Sequence, residues 1–162
     1  WLIKLNVEWV KYISKNKNYN IYLIGPGFNS TLNPIKKINN IIMKGELISD
    51  DLKKIMMSAN VCIAPYYHDK DTEEVYTMPN KFWLYLSFGK PIVTCQINNL
   101  KGLPKKFVYQ SKNETEFNDN IDRAASEDSS DIFEKRMQYI QKNTWDNRVN
   151  ELLGLYKKYT VL

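Results

Sequence analysis

The sequence predicts an α/β domain in which a mostly parallel sheet lies between layers of helices. Short apolar runs alternate with longer segments of helical spacing along the whole chain. Strands separated by helices imply right-handed crossovers, which place successive strands parallel. A length of 162 residues, 43% of them hydrophobic and 25% charged, suits one domain around one core.

The elements follow in order. Leu5, Trp9 and Ile13 recur four apart and predict a helix over 5–16. I-Y-L-I is an apolar strand ended by Gly25, Pro26 and Gly27. Residues 28–39 read as a loop with room for a short helix, and 40–44 as a second strand. Ser49 is placed to cap the next helix, with Asp50 and Asp51 in its first turn. Leu52, Ile55, Met56 and Ala59 continue it, and V-C-I-A-P-Y at 61–66 is a buried strand. A polar loop containing His68 and Asp69 leads to a helix at about 79–88, with Pro79 in its first turn and Gly89 at its end. Strands are expected at 91–95 and 107–110. Asn113 and Glu116 form a capping-box pattern, with Phe117, Ile121 and Ala124 on one face. Two more helices follow, about 129–142 and 145–158, with Glu127 and Asp128 as helix-start charges. Trp145, Val149, Leu152, Leu153 and Tyr156 make an apolar stripe on the last, which either packs on its own domain or reaches beyond it.

Composition narrows the function. A formal charge of +5 fits a protein that handles anions or sits beside anionic lipid. The lysines are scattered, without the arginine-rich stripe or aromatic motif of a nucleic-acid binder, so no nucleic-acid partner is expected. Cys62 and Cys95 lie in apolar runs and read as reduced core thiols. His68 is the single histidine, no metal-ligand spacing occurs, and nothing resembles a Ser/His/Asp triad. No apolar run is long enough to span a bilayer and no signal peptide is evident. The expected location is cytoplasmic, with the inner face of the membrane as the alternative.

In sheets of this kind ligands bind beyond the carboxyl ends of the strands. That rule nominates Gly25, Gly45, Glu46 and Leu47, Tyr66, and the segment Met78-Pro79-Asn80-Lys81. A helix starting there offers free backbone N–H groups and the positive end of its dipole, and Lys81 adds a charge in the first turn: a plausible diphosphate site. On the residues alone, an ordinary surface helix with an exposed lysine is the competing reading.

The stretch M-P-N-K-F-W-L-Y-L-S-F-G-K-P-I-V-T, residues 78–94, resembles a signature of GT-B glycosyltransferases of the glycosyltransferase group one type. Pro79, Lys81, Phe82, Trp83, Tyr85, Leu86, Gly89, Lys90, Pro91, Ile92 and Val93 match it. I-Y-L-I-G-P, K-G-E-L, D-D-L-K-K-I-M-M-S-A-N-V-C-I-A-P and T-W-D-N-R-V-N-E-L-L-G-L-Y resemble other landmarks of that family in the right order, over roughly residues 5–158.

The resemblance implies the Rossmann-like, C-terminal half of a GT-B fold: the domain that binds a nucleotide-diphosphate sugar, across a cleft from an N-terminal acceptor domain. Lys81 would hold the diphosphate and stabilise charge on the leaving group, helped by backbone N–H groups near Met78, Pro79 and Asn80. Residues 45–48 would lie against the base, and Gly25 would leave room for ligand. No bound metal is expected. The implied work is sugar transfer to a glycan or glycolipid in cell-surface polysaccharide synthesis. The alternatives are a donor-binding subunit serving a separate acceptor subunit, and a non-catalytic remnant acting in protein contacts.

Two departures stand out. Leu84 occupies the position of the glutamate that grips the ribose in the family, and Thr77 that of the partner glutamate seven residues earlier, so Glu73 or Glu74 would have to substitute. His68 could approach the sugar or be a solvated loop residue, and Glu46 could contact the nucleoside or be a simple exposed acid. G-P-G-F-N-S lacks the Gly-x-Gly-x-x-Gly spacing of a nicotinamide dehydrogenase. Residues 1–162 read as a single domain without an acceptor domain, and a Rossmann half should open on its central strand, whereas W-L-I-K-L runs straight into a helix. A chain truncated at its N-terminus, inactive alone, is the expectation.

Overall fold

A computed structural model describes residues 5–26, 30–67, 78–97, 100 and 102–160. Six α-helices and five strands occur among them: α1 Val7–Ile13, β1 Ile21–Ile24, β2 Ile41–Gly45, α2 Ser49–Ser58, β3 Cys62–Ala64, α3 Asn80–Ser87, β4 Ile92–Cys95, β5 Val108–Ser111, α4 Glu114–Ser126, α5 Ser130–Lys142 and α6 Trp145–Thr160. A single 3-10 turn, Ser30–Leu32, lies in the loop between β1 and β2.

Every ladder is parallel, as the alternation of elements requires. β1 pairs with β2, Ile21 opposite Ile41, with a register shift between Leu23 and Ile24. β4 lies between β3 and β5, Ile92 standing opposite Cys62 on one side and Val108 on the other. No ladder joins β1 to β3, so the expected single sheet is divided in two among the described residues. An isolated antiparallel bridge between Leu5 and Tyr66 is the exception to parallel pairing.

The layers follow from side-chain alternation across β4 and β5. Val93 and Tyr109 join Val10 and Ile13 of α1 and Phe117, Ile121 and Ala124 of α4 in one core cluster. Ile92 and Val108 point to the opposite face and join Phe82 and Leu86 of α3 and Ile132 of α5 in another. All four residues of β4 are buried, as befits a strand covered on both faces. The result is a helix–sheet–helix sandwich. Cys62 and Cys95 are buried and unpaired, as expected.

Several boundaries correct the sequence reading. α1 is shorter than 5–16 because Asn6 caps it, its Oδ1 accepting from the Trp9 N–H at 3.1 Å. Ser49 does not cap α2: Ile48 holds the N-cap position, and Ser49 is the first helical residue, at φ 37°. A side chain already inside the first turn cannot accept that turn's N–H groups. Pro79 is the N-cap of α3 rather than a member of its first turn. Asn113 accepts from the Glu116 N–H at 2.9 Å, but Glu116 reaches back to the Lys112 N–H, one residue beyond the expected partner. Glu127 and Asp128 are not helix-start charges. Glu127 is the C-cap of α4 and pairs with Arg123 at 2.7 Å, Asp128 pairs with Arg136, and Ser129 caps α5. The stripe on α6 does not pack on its own domain: Trp145 is 79% exposed, and Leu152, Tyr156 and Tyr159 are also open to solvent.

Candidate functional site

The nominated residues fall at strand ends and at one helix start. Gly25 follows β1 with φ +151°, and its N–H donates to the carbonyl of Gly45 at 2.9 Å. Gly45 ends β2 at φ 68°. A Cβ built on Gly25 would meet nothing within 4 Å, so the space beside it is open. Glu46 is exposed and Leu47 half-buried in the bend that leads to α2. Tyr66 follows β3, half-buried.

Met78 and Pro79 are half-buried, Met78 packing with Tyr66 against the core cluster under α3. Asn80 is exposed. The Pro79 carbonyl accepts from Phe82 at 2.9 Å, closing the first turn of α3, and the buried Phe82 and Leu86 fix which face of the helix turns inward.

Lys81 lies half-buried in that turn, with Nζ 4.5 Å from the centre of the Tyr66 ring. This contact links the strand-end set to the helix-start set. Burial alone pulls the ammonium pKa below the usual 10.5, and among the described residues no carboxylate pairs with it. Burial also pushes the Tyr66 and Tyr85 hydroxyls up, and the Cys62 thiol up to about 12 against the pull of Lys90. The surroundings of Lys81 therefore disfavour charge, which leaves a buried cation in want of an anion.

A cavity of about 720 Å³ opens beside Lys81. Lys81, Leu84 and Tyr85 of α3 form one wall, β1 and β3 supply others, and Ile121 and Asp122 of α4 close it. Leu84 thus stands with Lys81 on one wall, as their spacing of three predicts. Of the nine nominated positions Lys81 alone lines this cavity. His68, Asp69, Glu73, Glu74, Thr77 and Gly27 lie outside the described residues.

Two buried polar clusters support the site and were missed by the sequence reading. Asn40 donates to the carbonyls of Ser14, Asn16 and Tyr19 at 3.0–3.1 Å, tying the turn after α1 to the start of β2. Arg136, 1% exposed, donates to the Gly89 carbonyl at 2.7 Å and to Asp128, fixing the end of α3. An Asn in N-N-I-I and an Arg in E-K-R-M look like surface residues. No pattern signal separates them from their neighbours. Among the described residues no three His, Cys, Asp or Glu side chains gather into a metal-binding group. No helix among them is long and apolar enough to cross a membrane.

Comparison with curated proteins finds no match. The family described as glycosyl transferases group 1 matches residues 3–127, a span that takes in both sheets, α3 and all nine nominated positions. A match over most of the chain, on a parallel α/β sandwich with the expected order of elements, is decisive: the chain belongs to the glycosyl transferases group 1 family.

Proposed function

We propose that this domain holds the nucleotide-diphosphate sugar of a glycosyl transfer, with the diphosphate at the first turn of α3. The observation that carries the reading is Lys81, a half-buried cation beside an open cavity with no carboxylate partner among the described residues. A diphosphate placed there repays the desolvation of the ammonium and meets the free N–H groups of the helix start. As the sugar leaves, negative charge grows on the diphosphate, and a fixed ammonium stabilises that charge without reorganisation. Gly25 and the bend Gly45-Glu46-Leu47 supply room and a wall for the nucleoside. Leu84 offers the ribose an apolar contact in place of a carboxylate, so ribose recognition falls to other groups.

The acceptor side lies outside this chain in the same reading, supplied by an acceptor domain or a separate subunit, so the isolated domain binds donor and transfers no sugar. The acceptor in this reading is a glycan or glycolipid, and a net charge of +5 is compatible with work beside anionic lipid.

Titration calorimetry with UDP and GDP tests the site. Lys81→Ala is expected to weaken binding about tenfold or more, or ~1.4 kcal/mol. Equal affinity of the native chain and the variant, both folded by circular dichroism, would remove Lys81 from the site. Sugar transfer by the isolated chain would overturn the division of labour.

A further inference from the structure

A lysine at a helix start is by nature a loose cation. Its long stem is flexible, and a diphosphate that captures it has to order it first. Lys81 is not left loose. Its Nζ lies 4.5 Å from the centre of the Tyr66 ring, inside the ~6 Å within which a ring face attracts a cation. The ring in turn stands on fixed backbone. Tyr66 follows Pro65 just past the end of β3, its N–H donates to the Ala64 carbonyl at 3.0 Å, and Leu5 bridges it. The Asn6 N–H donates to the Pro65 carbonyl at 2.8 Å, and Met78 packs with Tyr66 against the same core cluster. An ammonium on α3 is thus held by a group anchored to the sheet.

What holds a cation also decides how much of its charge is left for a ligand. A carboxylate in the place of the ring would bind the ammonium and repel an incoming diphosphate. A ring attracts through its quadrupole and carries no net charge, so the positive charge stays available. The other titratable groups nearby do not change this. Burial pushes the Tyr85 hydroxyl and the Cys62 and Cys95 thiols up, which keeps all three neutral at physiological pH. Asp122 of α4 lines the cavity too, but Tyr19 donates to it at 2.5 Å.

We infer that Tyr66 is a positioning residue of the donor site: its ring fixes the Lys81 ammonium beside the cavity and presents it to the diphosphate with its charge intact. The identity of the ligand rests on the donor reading proposed above. The hold on Lys81 rests on the ring geometry alone.

The test varies the electrostatics of the ring at nearly constant shape. In the full chain, Tyr66 is replaced by leucine, by phenylalanine, and by phenylalanine carrying one, two or three ring fluorines, which weaken the quadrupole stepwise. The Lys81 pKa is followed by side-chain NMR without ligand. Affinity is measured by calorimetry with UDP or GDP, whichever the native chain binds more tightly. Tyr66→Leu is expected to lower the Lys81 pKa further and to weaken nucleotide binding about fivefold. Tyr66→Phe is expected to restore most of both, and each added fluorine to take part of that away. A fluorine series flat in both readouts overturns the proposal, because a ring that only fills space is indifferent to fluorine. A Lys81 pKa that rises in Tyr66→Leu also overturns it, since the ring would then serve to exclude water. A graded pKa with unchanged nucleotide affinity overturns the presentation to the diphosphate. If the native chain binds neither nucleotide, the donor reading falls, and the pKa series still decides whether the ring holds Lys81.

Discussion

The Arg136 guanidinium donates from Nε to the Gly89 carbonyl at 2.7 Å, joining the second turn of α5 to the end of α3 across 47 residues of sequence. α3 is only eight residues long, so whatever fixes its carboxyl end also aims its first turn, where Lys81 sits. The Asp128 carboxylate completes the pair on the other side of Arg136. A buried cation, a carbonyl and a carboxylate thus set the direction of the helix that carries the proposed diphosphate contact.

Arg136→Met keeps much of the side-chain volume and removes the donors. It leaves the Gly89 carbonyl and the Asp128 carboxylate without their partner, at an expected cost of about 2–3 kcal/mol in stability. Urea unfolding of the variant measures this directly. A cost near zero would mean that water replaces the guanidinium.

Gly89→Ala meets two obstacles. The residue sits at φ 66°, where a Cβ costs about 1–2 kcal/mol. That Cβ would also fall 2.1 Å from the Phe133 ring. Phe133→Ala in the same background is expected to recover the steric part alone, so the double variant stays roughly 1–2 kcal/mol less stable than Phe133→Ala by itself. Full recovery would assign the whole effect to the ring.

Lys81 sets a pH dependence of known sign. Its pKa is lower in the folded chain than the ordinary 10.5 of an exposed lysine. Between the two values the unfolded chain holds a proton that the folded chain has released, so stability rises with pH across that window. Lys81→Met abolishes this contribution, and the stability difference between the native chain and the variant is expected to grow in favour of the native chain as pH rises toward 10.5. Tyrosines contribute equally to both proteins and cancel. Bound diphosphate favours the protonated ammonium, so nucleotide affinity should fall over the same range.

Asn40→Leu removes the donor that three carbonyls share. Ser14, Asn16 and Tyr19 then lose their common partner, and a loss of about 2–3 kcal/mol is expected. Tyr19 also donates to Asp122 at 2.5 Å, so slippage of the turn would show as faster exchange at the Ile21 amide. An unchanged Tm would show that the turn holds without Asn40.

The sequence made the order of elements legible because period and length differ sharply between I-Y-L-I or P-I-V-T-C and the amphipathic segments between them. Every strand appears within two residues of its expected bounds, and every expected helix is present. Caps were less legible: Ser49 has the right chemistry, but it is the first helical residue, at a positive φ, and Ile48 holds the cap, an arrangement that leaves no mark on composition. Lys81 could be named because a lysine at a helix start carries its chemistry on its face, and the structure sets it against Tyr66 beside a cavity. Asn40, Arg136 and Asp128 were invisible because their partners are distant in sequence and mostly backbone carbonyls, which no side-chain pattern encodes. The fate of the α6 stripe was also undecidable, since periodicity tells which residues share a face and not what that face touches.

The open stripe of α6 gives the protein a native optical reporter. Trp145 is 79% exposed, whereas Trp83 stacks on Tyr139 beneath the Arg148 guanidinium and Trp9 packs on Phe117. In a Trp1→Phe background, a water-soluble collisional quencher therefore extinguishes the emission of Trp145 ahead of the other indoles. Any macromolecule that settles on this helix shields that emission, so its arrival can be followed without a label.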